Sequence, residues 1–334
     1  MLKRLVPILL LVTLSACPGT STPTPTPTPA LTGRLWIPLY GSNSIVAYPA
    51  DKLSTPNIAP SITLATGANT GPESAAIDRG GNLWVSNLNS RTIVRYRPSQ
   101  FSNAIANPDL TIQLTDRPGQ LAFDANGNLW FTSFYAAGIF SFKNVDALGG
   151  TVSAAPDLKL PLAAAFGLAF DATGNLWVSS YSASTINKYS PAQLAVNGSS
   201  PALTLSSSAG SLNNPSALAF DKDGNLWVTN SGANSIVKFS ALASITGSSS
   251  PTPTATIGGT GTGGTPLIKQ PVGLAFDANG DLWTTEGGFL KQFGSPQTLL
   301  GSVSPAPTLT IAVQGIDGGG PVFDPPPAGL PLRR

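Results

Sequence analysis

The sequence predicts an all-β fold: a six-bladed β-propeller of four-stranded antiparallel blades, its ring closed by a C-terminal strand. Three observations carry this. A decapeptide recurs as LAFDANGNLW (Leu121 to Trp130), LAFDATGNLW (Leu168 to Trp177), LAFDKDGNLW (Leu218 to Trp227) and LAFDANGDLW (Leu274 to Trp283). All six tryptophans, Trp36, Trp84, Trp130, Trp177, Trp227 and Trp283, end the same short phrase, 48, 46, 47, 50 and 56 residues apart. Such a period marks propeller blades. The first unit begins without its leading strand, and a partial copy, PVFD (Pro321 to Asp324), appears at the far end of the chain.

Taken in order, residues 1–16 read as a signal peptide. Lys3 and Arg4 form a positive start, and Leu5 to Leu14 give an apolar stretch too short to span a bilayer. The stretch LSAC (Leu14 to Cys17) resembles the bacterial lipoprotein signal, which implies a lipidated Cys17 and a membrane partner through that anchor. Cys17 is the one cysteine in the 334 residues, so no intrachain disulfide is available. Residues 17–30 alternate Thr and Pro, an extended spacer reaching about 40 Å at polyproline rise. Residues 31–334 then form the propeller, and the expected location is the bacterial cell envelope, outside the cytoplasm and tethered to a membrane.

Within each unit strand A reads LAFD or a variant such as AAID (Ala75 to Asp78), and strand B reads NLWVS or similar. Both are apolar at consecutive positions, so both faces need cover. Strand C (SIVAY, TIVRY, GIFSF, TINKY, SIVKF, FLKQF) and strand D (SITL, LTIQL, DLKL, ALTL, TATI, TLTI) alternate with polar residues, as expected toward the rim of a blade. Between A and B lies D-x-x-G-N, with Gly81, Gly127, Gly174, Gly224 and Gly280 at one position, a tight turn needing positive φ and an Asp that bonds turn amides. The alternation of Asp124, Asn126 and Asn128 is weighed against a calcium loop, but no bidentate Glu follows. After strand C each unit carries an apolar anchor (Leu53, Phe101, Leu148, Leu194, Leu242, Leu299) before a Ser/Pro-rich bend, read as packing because every unit has it.

The run PSALAFDKDGNLWVTNSGANSIVKF (Pro215 to Phe239) resembles the NHL-repeat consensus, and more broadly six-bladed propellers such as gluconolactonase-like hydrolases and streptogramin B lyases. The likeness covers about residues 31–324 and rests on hairpin and core positions, so it implies fold more than function.

In an up-and-down blade the A–B and C–D turns share one face and the B–C and D–A loops the other. The A–B turns are near-identical, whereas B–C and D–A segments differ in every unit, so a ligand site is expected on the B–C/D–A face around the channel. Two rings of positions meet there. At the end of strand B stand Leu39, Asn87, Ser133, Ser180, Asn230 and Glu286; at the entrance to strand A stand Glu73, Gly119, Phe166, Ser216, Val272 and Gly319. The only two glutamates in the chain, Glu73 and Glu286, fall in these rings. The ligand-binding set is therefore Glu73, Asn87, Ser133, Ser180, Tyr181, Asn230 and Glu286, with Tyr40, Phe134, Asp116, Arg117, Asn214, Lys269 and Asp317 nearby, and the segment from Ile257 to Pro266 as a candidate lid.

Absences narrow the chemistry. There is no histidine, so a Ser-His-Asp triad, a His-ligated zinc and the histidine base expected from streptogramin lyases are excluded. The Asp-to-Gly spacing differs from a sialidase Asp-box. Charged residues make up 10% of the chain, and loss of Lys3 and Arg4 leaves 16 basic against 16 acidic residues, which favours neither nucleic acid nor an anionic membrane surface. The leading expectation is a monomeric, non-catalytic, cofactor-free lipoprotein that binds a protein, glycan or small molecule. The alternative, implied by the likeness to gluconolactonases, is a hydrolase holding one divalent cation such as calcium through Glu73, Asn87, Asn230 and Glu286. A purely structural envelope protein is the third reading.

Overall fold

The computed structural model describes residues 33–102, 107–207, 210–259, 266–316 and 319–326. The signal peptide, Cys17, the Thr/Pro spacer, Asp317 and most of the Ile257–Pro266 segment lie outside them.

Each repeat folds where its sequence alternates apolar runs with turn residues. Blade 1 contains β1 (Arg34–Leu39), β2 (Ser44–Pro49) and β3 (Ile62–Ala65); blade 2 contains β4 (Pro72–Ile77), β5 (Leu83–Asn87), β6 (Thr92–Tyr96) and β7 (Leu110–Gln113). Blade 3 contains β8 (Leu121–Phe123), β9 (Leu129–Ser133) and β10 (Gly138–Phe142), then sends out β11 (Gly150–Ser153) and ends on β12 (Leu158–Pro161). Blade 4 is β13 (Ala165–Phe170), β14 (Leu176–Ser180), β15 (Thr185–Tyr189) and β16 (Leu203–Leu205). Blade 5 is β17 (Pro215–Phe220), β18 (Leu226–Asn230), β19 (Ser235–Phe239) and β20 (Ala255–Ile257). Blade 6 is β21 (Gly273–Phe276), β22 (Leu282–Glu286) and β23 (Phe289–Phe293), followed by β24 (Gly301–Val303) and β25 (Leu309–Ala312). The tail strand β26 (Val322–Asp324) lies antiparallel to β1, pairing Trp36 with Val322 and Arg34 with Asp324, and so supplies the missing inner strand of blade 1.

The repeated decapeptide works across the blade interface. The Trp of one blade meets the strand-A Phe of the next, edge to face: Trp84 on Phe123, Trp130 on Phe170, Trp177 on Phe220, Trp227 on Phe276, and across the closure Trp283 on Phe323, with centroids 5.5 to 6.2 Å apart. Blade 2 carries Ile77 instead of Phe, and Trp36 packs on Phe101 at 4.9 Å. Each such pair adds about 0.5–1.5 kcal/mol beyond its area, and the six apolar clusters all straddle two blades. The core therefore lies between sheets.

The same phrase carries two polar ties. The turn Asp accepts from two amides of its own turn and from the indole of the Trp six residues on; Asp221 takes Asp223 N, Asn225 N and Trp227 Nε1 at 2.9–3.0 Å. The glycines sit at φ 76° to 83°, which a side chain rarely tolerates. Asp124 uses both carboxylate oxygens this way, leaving the loop organised as a turn rather than as a cage. At Asp171 burial acts to raise the carboxyl, but hydrogen bonds from Trp177, Asn175 and Thr173 prevail and hold it below the ordinary range. At Asp277 burial wins over the Trp283 bond, and the neighbouring Asp281, standing where other turns have Asn, pushes the same way.

The second tie is a clasp between blades. Two positions beyond Trp, a hydroxyl donates to the strand-A entrance carbonyl of the next blade: Ser86 to Gly119, Thr132 to Phe166, Ser179 to Ser216, Thr229 to Val272 and Thr285 to Gly319, at 2.6 to 3.4 Å. At the sixth joint the donor position is Pro38, which has no hydroxyl, and the corresponding entrance residue is Glu73.

The segment after strand C does more than pack. It reaches back to the outer strand of the preceding blade: β11 runs parallel to β7, β24 runs parallel to β20, Gly198 N donates to Lys159 O, and Ser249 forms an isolated parallel bridge through Thr204 O and Ser206 N. Two blades thus gain a fifth, parallel strand, and four outer edges are covered against pairing with another chain. Arg95 and Lys238, each over its own blade's Trp ring, donate to carbonyls of these segments at Val145 and Leu148, and at Gln297 and Leu299.

Candidate functional site

The A strands of all six blades wall a central channel of about 180 Å3. Its sides are Leu, Ala and Phe from the LAF phrases, including Leu168, Phe220 and Phe276. Its polar lining residues include Asp78, Arg79, Asp124 and Asp146, and the carboxylates of Asp78 and Asp124 are engaged by their own turns and indoles.

A second cavity, about 230 Å3, opens on the B–C/D–A face over blades 2 to 4. Strand-A entrances supply Glu73, Gly119 and Phe166, B–C loops supply Leu88, Phe134, Tyr135 and Tyr181, and the D–A segment of blade 3 supplies Arg117. Local backbone geometry explains two of these. Between Pro72 opposite Asn87 and Ser74 opposite Ser86, strand β4 holds one extra residue, Glu73; a comparable irregularity in β13 between Ala165 and Leu168 holds Phe166. Such bulges turn a side chain out of the ladder, here toward the channel mouth.

The aromatic rings touch in series. Phe166 lies 5.6 Å from Tyr181, Tyr181 6.3 Å from Phe134, and Phe134 5.6 Å from Tyr135. Phe134 and Tyr135 stay 38% and 63% exposed, unusual for large rings with no need to face water. The Arg117 guanidinium lies 5.0 Å above the Tyr135 ring, a cation–π contact.

Glu73 supplies a polar contrast. Its carboxyl has no hydrogen bond or ion pair with any described residue, and burial pushes it up to about 7. Beside it Gln120 accepts from Ser74 Oγ at 3.3 Å, while its buried Nε2 donates to nothing among the described residues. Thr132 also lines the cavity, but its hydroxyl is committed to Phe166 O and to Gln120 N.

The ring at the end of strand B has a different occupation. Asn230 Oδ1 accepts from Asn213 N at 2.6 Å and Nδ2 donates to Ser211 O; Ser180 donates to Ala163 O at 2.6 Å; Ser133 Oγ accepts from Ala136 N. Glu286 is paired with Lys291 and accepts from Lys269 N at 2.8 Å, while Lys291 also holds Leu267 O. These side chains pin D–A and B–C loops in place. Asn87 donates to Thr92 Oγ1, and its buried Oδ1 has no partner among the described residues. Tyr40 donates to Asn89, Asn214 donates to Tyr181 O, and Asp116 is exposed.

Of the seven residues set out for ligand binding, the cavity contains Glu73 and Tyr181; Phe134 and Arg117 join them from the nearby group. Of the four donors set out for a cation, Glu73 alone lines it. Glu286 and Asn230 already have their oxygens occupied, and no group of three Asp, Glu, His or Cys among the described residues could hold a metal ion. These residues do not fit a metal centre. Sequence reasoning missed Tyr135 and Gln120. The signal for Tyr135 was present: SFYAAG is the B–C loop with two adjacent aromatics.

Comparison with known proteins agrees with the geometry. The NHL-repeat family model matches residues 212–239. No curated protein matches the chain. Among solved structures, a protein of unknown function from Bacteroides caccae is 14% identical, covering 87% of this chain and 98% of that one with a TM-score of 0.58. A chain of a nidogen/laminin complex is 12% identical, covering 86% and 97% with a TM-score of 0.59. Virginiamycin B lyase from Staphylococcus aureus is 16% identical over 69% of each chain, with a TM-score of 0.46. For the first two, at these identities, the likeness is one of fold.

Proposed function

We propose that this protein is a non-catalytic binding module of the bacterial envelope, tethered through Cys17 and its Thr/Pro spacer, which recognises a small molecule, or the end group of a larger one, in the cavity over blades 2 to 4. The observation that carries the reading is the convergence there of four linked aromatic rings with an unpartnered carboxyl. The chain's lack of histidine and the single carboxyl among the described lining residues also support it, since paired-carboxylate hydrolysis needs two. At about 230 Å3 the cavity is smaller than the roughly 300–1,000 Å3 of drug-sized sites, which suits a compact group.

The test is a saturation-transfer NMR screen of low-mass compounds against the full chain. Hits are expected to weaken about tenfold in Tyr181→Ala and in Phe134→Ala, the usual cost of deleting an aromatic anchor. Hits indifferent to both substitutions would place recognition elsewhere. The tether is checked separately: Cys17→Ser is expected to move the protein from the membrane fraction to the soluble one, and unchanged fractionation would refute the anchor.

A further inference from the structure

Resting on the reading of this cavity as a binding site, we infer that its ligand is an organic amine, whose ammonium group is taken by Glu73 while Phe134, Phe166 and Tyr181 hold its apolar body. Three observations select this class. The carboxyl of Glu73 is turned into the cavity by the bulge in β4 and meets no described donor, so the fold leaves its charge to be matched from outside. The rest of the cavity is lined by aromatic rings, and an aromatic ring attracts a cation that lies over its face. Of the buried polar side chains in the lining, Gln120 keeps one uncommitted donor, Nε2, and the Thr132 hydroxyl is already committed on both sides. A sugar would bring several hydroxyls into such a site and leave most without partners, which is costly. A carboxylate ligand would face Glu73 directly.

The charged arrangement also orients the amine. Arg117 is held over Tyr135, the most exposed of the rings, and is the one cation among the described lining residues. An ammonium is therefore repelled at that end and attracted at Glu73. Binding shifts Glu73 toward its ionised form, so affinity for an amine rises with pH through the neutral range. Arg117, Tyr135 and Tyr181 are the other titratable side chains facing the cavity.

The experiment is calorimetric titration of the full chain with four probes: 2-phenylethylamine, its neutral isostere 2-phenylethanol, the anion 3-phenylpropanoate, and methyl glucoside. The amine is expected to bind at least about tenfold tighter than the alcohol, with the anion and the sugar weaker still. Between pH 6 and pH 8 its affinity is expected to rise roughly tenfold, following ionisation of a carboxyl near 7. Glu73→Gln should abolish both the amine preference and the pH response while leaving 2-phenylethanol binding within about twofold; Arg117→Gln removes the repulsion at the far end and should tighten the amine while keeping the pH response. A circular-dichroism melt of each variant establishes that it is folded. Equal binding of amine and alcohol, or an amine preference that survives Glu73→Gln, overturns the amine assignment but leaves the cavity as the site. Preferred binding of the glucoside overturns it in favour of a glycan. Failure of all four probes to bind overturns the cavity reading together with the amine.

Discussion

Glu73 on blade 2 and Glu286 on blade 6 occupy the same rim of the same ring, and the fold treats them in opposite ways. Glu286 is met on every side: an ammonium from Lys291, an amide from Lys269, and walls that leave it almost wholly buried. Glu73 is crowded by protein that offers it no partner. The first carboxylate holds a loop; the second is left for something else to satisfy. A polar residue on a propeller rim is thus a functional candidate only where the architecture has not already engaged it, and identity and position alone do not reveal which case applies.

Removing each group should have opposite consequences. Glu286→Ala leaves the Lys291 ammonium buried without its counter-charge and frees the Lys269 amide, so a loss of about 3–5 kcal/mol is expected in urea unfolding. A loss under about 1 kcal/mol would mean that Glu286 is no more committed than Glu73. Glu73→Gln should stabilise instead. Because the folded pKa of Glu73 is raised, the native state favours the protonated acid: its penalty is absent below the unfolded value near 4.5 and grows as pH rises to about 7. A shift of that size corresponds to at most about 3 kcal/mol, and partial exposure of the side chain brings it nearer 2. The variant and the parent should therefore be equally stable at pH 4, and the variant ahead at pH 8. A flat difference across that range would show that Glu73 has a partner after all.

Much of this was legible in the sequence, for a physical reason. Blade number, the closing strand and the Asp turn depend on contacts that recur in every unit, such as Trp227 with Asp221 and with Phe276, and recurrence writes them into the repeat. The face bearing the cavity was legible too, because only its loops differ. What stayed hidden was the state of each rim residue. Asn230 is engaged by Asn213, Ser180 by Ala163 and Glu286 by Lys269, each through a backbone group some 17 residues away whose position depends on the path of a non-repeating loop. The edge-covering role of the segments after strand C was hidden likewise, since it involves the preceding blade.

A milder test concerns a committed group inside the cavity itself. Thr132 lines it, yet its hydroxyl clasps Phe166 O at 2.6 Å and receives Gln120 N at 3.1 Å. Thr132→Val keeps the shape and leaves both backbone groups unpaired, so a loss of about 1–2 kcal/mol is expected in thermal or urea unfolding. No loss would indicate that the clasps between blades are incidental.

The smallest effect is expected where the clasp is missing. Pro38 stands at the donor position of the joint between blades 1 and 2, where the corresponding entrance residue is Glu73, and the tail at Gly319 lies close to both residues. Restoring the hydroxyl as Pro38→Thr has two opposing consequences. It adds a hydrogen bond of about 0.5–1.5 kcal/mol, and it gives the unfolded chain back the freedom that proline removed, about 0.4–1 kcal/mol. The net change against the parent is therefore close to zero, and the informative quantity is the difference between Pro38→Thr and Pro38→Val, in which the backbone contribution cancels. If the ring of clasps is a property of the architecture that blade 1 happens to lack, the Thr variant should exceed the Val variant by about 0.5–1 kcal/mol. If the tail strand has already taken the place of the clasp at this joint, the two should melt together, and the exception at Glu73 would then belong to ring closure rather than to the binding site.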